Sequence, residues 1–302
     1  MTLLSYEIFQ SIIDNGSFAK AASALHLTPS AVSHSISGME EEIGFPLFIR
    51  SKNGVQLTSA GEEISPYIQK IVSSNNSLNQ AIAQMQGLQT GTVRVGCTNT
   101  VCLTWIPHIL KSFQEEYPQI DVEIFQGSYD DVILWIKNGN IDLGIVSEEA
   151  SEKLPFIPLY KDCLVCLVPK GFMPKGTEYM TPDDLKGQPF VIQQDSCDID
   201  IMNYLNKYRL SIRANCHILD DQSAIAMVQC GAGISIMPEL ILETAKTSVD
   251  VYPLHPEQYR TLGICSQNRD FMSPAAKVML KHIKSYVSTL KGSLVDDEKE
   301  HN

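Results

Sequence analysis

The order of apolar and polar positions divides the chain into three stretches of different character. In the first, helical periods precede a hairpin. Leu4, Ile8 and Ile12 recur every four residues, and Asn15-Gly16 offers a left-handed stop. Ser17 is placed to cap a second helix whose Phe18, Ala21, Ala22 and Leu25 share one face. Thr28 then caps a third helix with Pro29 at its first position. Its buried stripe is Val32, Ile36, Met39 and Ile43, and a second face carries Ser30, Ser33, His34 and Ser37 without any acid. Leu47–Arg50 and Val55–Leu57 flank an Asn53-Gly54 turn, a strong hairpin signal. Three helices and a hairpin spell a winged helix-turn-helix over residues 1–58.

The second stretch is one long helix over residues 59–88, entered through a Ser59-Ala-Gly-Glu62 capping box. Ile64, Ile68, Ile71, Asn75, Leu78, Ile82 and Met85 alternate in steps of four and three, a coiled-coil seam that asks for a partner helix. Asn75 on that seam trades stability for register. The third stretch, from Thr92, alternates strand and helix. Thr92–Gly96, Ile120–Phe125 and Ile141–Val146 read as strands separated by helices at Ile106–Glu116 and Tyr129–Lys137, the order of a parallel α/β sheet. A second such unit begins near Leu164. Residues 92–162 with 267–291 are expected as one lobe, 163–266 as the other, and 292–302 as a disordered polar tail.

The formal charge of −12 argues against a broadly basic coat for nucleic acid or anionic membrane. The excess acid is concentrated after residue 88, since residues 1–88 carry only a net −3. No apolar run is long enough to span a bilayer, and the N-terminus lacks a signal-peptide profile, so a cytoplasmic protein is expected. Its eight cysteines are too scattered for a disulfide framework or a zinc cluster. Cys163 and Cys166 form a C-x-x-C within a strand-like run, where residues three apart point to opposite faces, which disfavours a redox pair.

The chain resembles the LysR-type transcriptional regulators over nearly its whole length. The resemblance rests on Phe18-Ala-Lys-Ala-Ala22, Leu27-Thr-Pro-Ser-Ala-Val-Ser33, Met39-Glu40, Gly44-x-x-Leu-Phe-x-Arg50 and Leu57-Thr-x-Ala-Gly61. Further along, Ile141-Asp-Leu-Gly-Ile145 and Gly231-x-Gly-Ile-x-Ile-Met-Pro238 look like the family's two-lobed effector domain, of the type II periplasmic-binding-protein kind. The resemblance implies a homodimer, further paired into a homotetramer, on interrupted inverted repeats of double-stranded promoter DNA. Two departures stand out. His34 replaces the arginine that usually follows the serine at Ser33, and Asn53, beside Lys52, replaces a second wing arginine.

A helix capped by Thr28 presents free N–H groups and a positive dipole end to a phosphate. Ser30, Ser33, His34 and Ser37 can reach base edges, while Lys20, Arg50 and Lys52 are the strongly basic groups before the long helix. In the effector domain, Thr98, Asn99 and Thr100 follow the first strand and suit a small anionic metabolite. Gln194, Ser196 and Cys197 follow the equivalent strand of the second lobe, and Ser128 and Ser147 follow other strands. Asp195 and Asp198 favour a polar or cationic ligand group on that second side. Cys197 also stands where the resemblance to the peroxide-sensing branch places a reactive cysteine, so thiol-based redox sensing is the alternative. No catalytic dyad, phosphate loop or metal-ligand spacing is present, so neither catalysis nor a cofactor is expected. A transport-type binding protein without a DNA role is the distant rival.

Overall fold

The computed structural model describes residues 1–51, 54–87, 90–175, 178–193, 199–218, 220–245 and 248–295. Two compact units are present, and each is described by itself. In the first, α1 (Leu3–Asn15), α2 (Phe18–Ala24) and α3 (Pro29–Ile43) are followed by a hairpin of β1 (Phe48–Ser51) and β2 (Gly54–Leu57), and then α4 (Ser59–Met85). Gly16 ends α1 at φ 62°, a left-handed conformation that glycine adopts without strain. Thr28 Oγ1 accepts the Ala31 N–H at 3.2 Å, so the expected cap of α3 forms. Ser17 makes no capping bond to α2 through its side chain, which differs from the expectation. Ile8, Phe9, Ile12, Ala21, Ala22, Val32, Ile36, Met39 and Leu47 form one buried core. Each large aliphatic group there contributes about 1.5–3 kcal/mol by leaving water.

The cap of the long helix lies one residue earlier than expected. Thr58, rather than Ser59, is the N-cap: its Oγ1 accepts the Gly61 N–H at 3.0 Å and donates to the Pro46 carbonyl at 2.7 Å. The seam also divides. Ile68 is buried in the winged-helix core and Ile64 packs against it, so these two stabilise their own chain. Ile71, Leu78, Ile82 and Met85 stay exposed, with Asn75 half-buried among them.

The second unit contains β3 (Gly91–Cys97), α5 (Asn99–Thr104), α6 (Ile106–Glu116), β4 (Ile120–Gln126), α7 (Tyr129–Asn138), β5 (Leu143–Ser147), β6 (Phe156–Val168), α8 (Pro182–Leu185), β7 (Pro189–Gln193), α9 (Ile199–Lys207), β8 (Arg213–Ile218), α10 (Asp221–Gln229), β9 (Ser235–Pro238), β10 (Asp250–Pro253), β11 (Tyr259–Cys265) and α11 (Pro274–Ser288). Strand β3 runs parallel to both β4 and β5, as the alternating pattern predicts. Asp142 interrupts the apolar run before β5 for a reason: its Oδ2 accepts the Arg94 N–H of β3 at 2.7 Å.

The 13-residue β6 links the two lobes. Its first half pairs antiparallel with β11, which also pairs with β5; its second half pairs with β9 and β10. The expected division at 162/163 therefore falls within a continuous strand, and β11, expected in the second lobe, pairs with β5 and packs Leu262 and Ile264 into the core of lobe I. Trp105, Phe113, Ile109 and Met279 belong to the core of lobe I, and Phe190, Tyr204 and Met180 to that of lobe II. Cys166 lies in this second core, while Cys163 packs against a separate one around Val191 and Ile225, as opposite faces of a strand require. The expectation of an unpaired tail from Gly292 fails for its first residues. Gly292 and Leu294 exchange backbone hydrogen bonds with Lys161 and Leu159 of β6.

Candidate DNA-reading face and effector cleft

On the first unit, the buried stripe of α3 turns the opposite face outward. Thr28, Pro29, Ser30, His34 and Ser37 are exposed, and Ser33 is half-buried. Lys20 on α2 and Arg50 on β1 are exposed as well. The Arg50 guanidinium lies 3.9 Å from the Phe18 ring centroid, and this cation–π contact holds it at the base of the wing. Lys52 lies outside the described residues. Glu40 is directed inward by the fold, because its Oε1 accepts the Leu47 and Phe48 N–H groups at 2.7 and 3.3 Å. Glu42 pairs with the N-terminal ammonium. Two of the three clustered acids thus have internal partners, which reduces their repulsion of a phosphate backbone.

On the second unit, the ends of β3 and β7 bring lobe I to lobe II. Thr100, almost fully buried, donates from Oγ1 to Asp221 Oδ2 at 3.0 Å. Asn99 Nδ2 donates to the same oxygen at 3.0 Å. Gln126 Nε2 donates to Asn99 Oδ1 at 2.9 Å and so fixes the orientation of that amide. From lobe II, Gln193 Nε2 donates to Asp221 Oδ1. The sequence reading selected Asn99 and Thr100 as free donors for an anion, whereas here a carboxylate of the chain itself already occupies them. Thr98 is buried and its hydroxyl has no hydrogen-bond partner among the described residues.

Ser128 serves as a helix cap: its Oγ donates to Asp131 Oδ2 at 2.7 Å, and the Asp131 N–H returns to Ser128 Oγ at 3.2 Å. Ser147 is fully buried; its Oγ accepts the Ala150 N–H at 3.3 Å, and its hydroxyl favours the charged forms of the neighbouring Asp200 and Tyr129. Nearby, Arg260 of β11 donates from Nε to Asp162 Oδ2 at 2.9 Å and from Nη1 to the Tyr129 hydroxyl at 3.1 Å. Burial pushes the Asp200 carboxyl above its ordinary range against the opposing pull of Arg260 and Ser147. Gln194, Ser196 and Cys197 lie outside the described residues. Gln193, Asp221, Asp200, Asp162, Tyr129 and Arg260 were missed by the sequence reading. One signal was available: consecutive aspartates at 220 and 221, of which a helix needs only one as its cap.

Two thiols sit together beside this site. The Cys102 thiol is drawn down to about 7 by a hydrogen bond from Cys97, against the opposing effect of its own partial burial. The same contact, followed by burial, raises Cys97. Elsewhere in lobe I, His282 Nε2 lies 2.8 Å from Ser112 Oγ and its Nδ1 lies 3.3 Å from Glu116 Oε2, an arrangement familiar from hydrolases. Here Ser112 also donates to the His108 carbonyl at 3.0 Å from within α6, where backbone N–H groups are engaged and no oxyanion donors are offered. The arrangement ties α6 to α11. Among the described residues no group of three or more His, Cys, Asp and Glu is placed to hold a metal ion, and no helix is long and apolar enough to cross a membrane.

A winged helix-turn-helix, a long helix and a two-lobed α/β effector-binding domain define a DNA-binding transcriptional regulator. The family model described as "Bacterial regulatory helix-turn-helix protein, lysR family" matches residues 3–62, and the "LysR substrate binding domain" matches residues 86–288. The chain belongs to the LysR family of transcriptional regulators. It is 26% identical over 287 residues to the HTH-type transcriptional regulator YvbU of Bacillus subtilis, covering 94% of this chain and 98% of that one. A full-length OxyR from Pseudomonas aeruginosa has the same fold, with a TM-score of 0.75 at 20% identity over 98% of this chain and 97% of that one. Full-length CbnR, solved in complex with its target DNA, gives 0.64 at 16% identity over 95% of this chain and all of that one (100%).

Proposed function

We propose that this regulator reads promoter DNA with the acid-free face of α3 and that a small molecule bound between the lobes of its effector domain modulates that reading. The observation that carries the proposal is the exposure of Ser30, His34 and Ser37, with Ser33 half-buried among them, on one face of a helix whose other face packs Val32, Ile36 and Met39. Ser33 and Ser37 meet base edges, and His34 takes the position of the family's usual arginine. The N-terminus of α3, with Thr28 and Pro29, faces a phosphate. Lys20, Arg50 and Lys52 contact the backbone from α2 and the wing.

The exposed part of the α4 seam, Ile71, Leu78, Ile82 and Met85, is the dimer contact, and Asn75 sets its register. Pairs of dimers then hold two half-sites. The effector meets Thr98, Asn99 and Thr100 from lobe I and Gln194, Ser196 and Cys197 from lobe II, with Ser128 and Ser147 at the edge of the cleft.

DNase footprinting of the full chain on the region upstream of its own gene tests the DNA reading. Two protected half-sites are expected for the wild type. Ser33→Glu places a carboxylate against the bases and should abolish protection while leaving the thermal midpoint of the protein in place. Unchanged protection by this variant would remove α3 from the interface. Sedimentation of Leu78→Asp tests the seam and should return a lighter species than the wild type.

A further inference from the structure

The Asp221 carboxylate is held the way a bound ligand is held. It is 3% exposed and is met by three neutral donors from two elements, Asn99 and Thr100 of α5 in lobe I and Gln193 of β7 in lobe II. One of those donors, Asn99, is itself oriented by Gln126, so the donor set is fixed rather than adaptable. The carboxylate is not needed to cap α10, because Asp220 does so by accepting the Ser223 N–H at 2.8 Å. Asp221 makes no ion pair to a Lys or Arg among the described residues. Arg260, the buried cation of this region, sits instead with its Nη2 2.8 Å from Asp162 Oδ2. Carboxylate oxygens accept from several directions, and converging side-chain amide and hydroxyl donors can grip one.

We propose that the position between Asn99, Thr100 and Gln193 is a carboxylate-binding position that Asp221 fills as an internal ligand. The inference rests on the reading of this cleft as the effector site. It sets the class of the effector: the molecule does not offer a carboxylate at that point but brings a positive charge or a hydrogen-bond donor to Asp221. An anion would have to displace a carboxylate that is already bonded three times and would meet like charge while doing so. An amine or an amidine-like group instead finds an acceptor with one lone-pair site, on Oδ1, not filled by the three described donors.

The test is chemical rescue of the full chain. Asp221→Ala leaves three donors around a vacated volume the size of a carboxylate. Its thermal midpoint should fall, and sodium formate should restore most of the loss in a saturable way that sodium chloride of equal ionic strength does not reproduce. Wild type should respond to the two salts alike. Adding Thr100→Ala to Asp221→Ala should remove the formate effect. Should Asp221→Ala not fold, Asp221→Ser keeps more of the packing and is scored in the same assay. No formate-specific rise in the variant, or an equal rise in wild type, overturns the internal ligand.

Butylamine and butyrate test the ligand class. Butylamine should shift wild type more than butyrate, and the order should reverse in Asp221→Ala. Butyrate shifting wild type as strongly as butylamine overturns the class. The effector-site reading fails separately, if formate rescues the fold of Asp221→Ala but leaves its affinity for promoter DNA unchanged.

Discussion

Arg260 of β11 and Asp162 of β6 are direct cross-strand partners, with Nη2 2.8 Å from Oδ2 and both side chains almost fully buried. The pair sits where β6 passes from one lobe to the other, and Asp162 Oδ1 also accepts the Leu240 N–H at 3.1 Å. Burial pushes the Asp162 carboxyl up, and the guanidinium opposes this. Burial also lowers Arg260, but Tyr129, Asp162 and Asp200 around it outweigh that and raise it, so it stays charged. Removing one partner strands the other charge in the interior. Arg260→Met should therefore cost about 3–5 kcal/mol by denaturant unfolding, and Arg260→Met with Asp162→Leu should cost less than the first change alone.

The raised Asp200 carboxyl has a sign that can be measured. A folded-state value above the unfolded one means that the folded protein binds the proton more tightly, so protonation stabilises. This contribution grows as pH falls through the raised folded value and levels off below the ordinary carboxylate value. Asp200→Asn mimics the protonated form at every pH. The difference in thermal midpoint between Asp200→Asn and wild type should therefore shift in favour of wild type as pH is lowered from neutral toward the ordinary carboxylate value of 3.8.

Gly61 marks a close approach in the first unit. A Cβ there would stand 2.3 Å from the Leu47 carbonyl oxygen, with Leu57 also in contact. Backbone at that distance cannot yield as a flexible side chain can. Gly61→Ala should destabilise the winged-helix unit by about 1–3 kcal/mol, as overpacking of a tight site does. Gly38 has open space around it, and Gly38→Ala serves as the control that should not destabilise.

Cys102 should be the thiol that reacts first near neutral pH. Its alkylation by iodoacetamide, followed by peptide mass spectrometry, should show a midpoint near 7. Cys97→Ala removes the donor, and the midpoint should move toward the ordinary thiol value of 9.0. Treatment with dilute peroxide and the same readout at Cys197 tests the redox alternative directly: an unmodified Cys197 rejects it.

The order of elements in this chain was legible from periodicity because apolar spacing reports which face of a helix or strand leaves water. Val32, Ile36 and Met39 fix the buried side of α3, and the acid-free face follows from geometry. Caps such as Thr28 are local, since donor and acceptor lie within one turn, and a local signal survives in the sequence. Packing reassigned Ile64 and Ile68, because the seam spacing is the same whether the neighbour is another chain or the chain's own winged helix. The charge of −12 was equally blind to place: Glu40 and Glu42 have partners that only the fold supplies. The cleft shows the limit most plainly. Asn99 and Thr100 were readable as donors after a strand, but Asp221 lies more than a hundred positions away and reaches them only because β6 and β11 fold lobe II back onto lobe I. Hydrogen bonds over such separations leave no periodic trace, so the sequence named the donors and the tertiary structure decided what they hold.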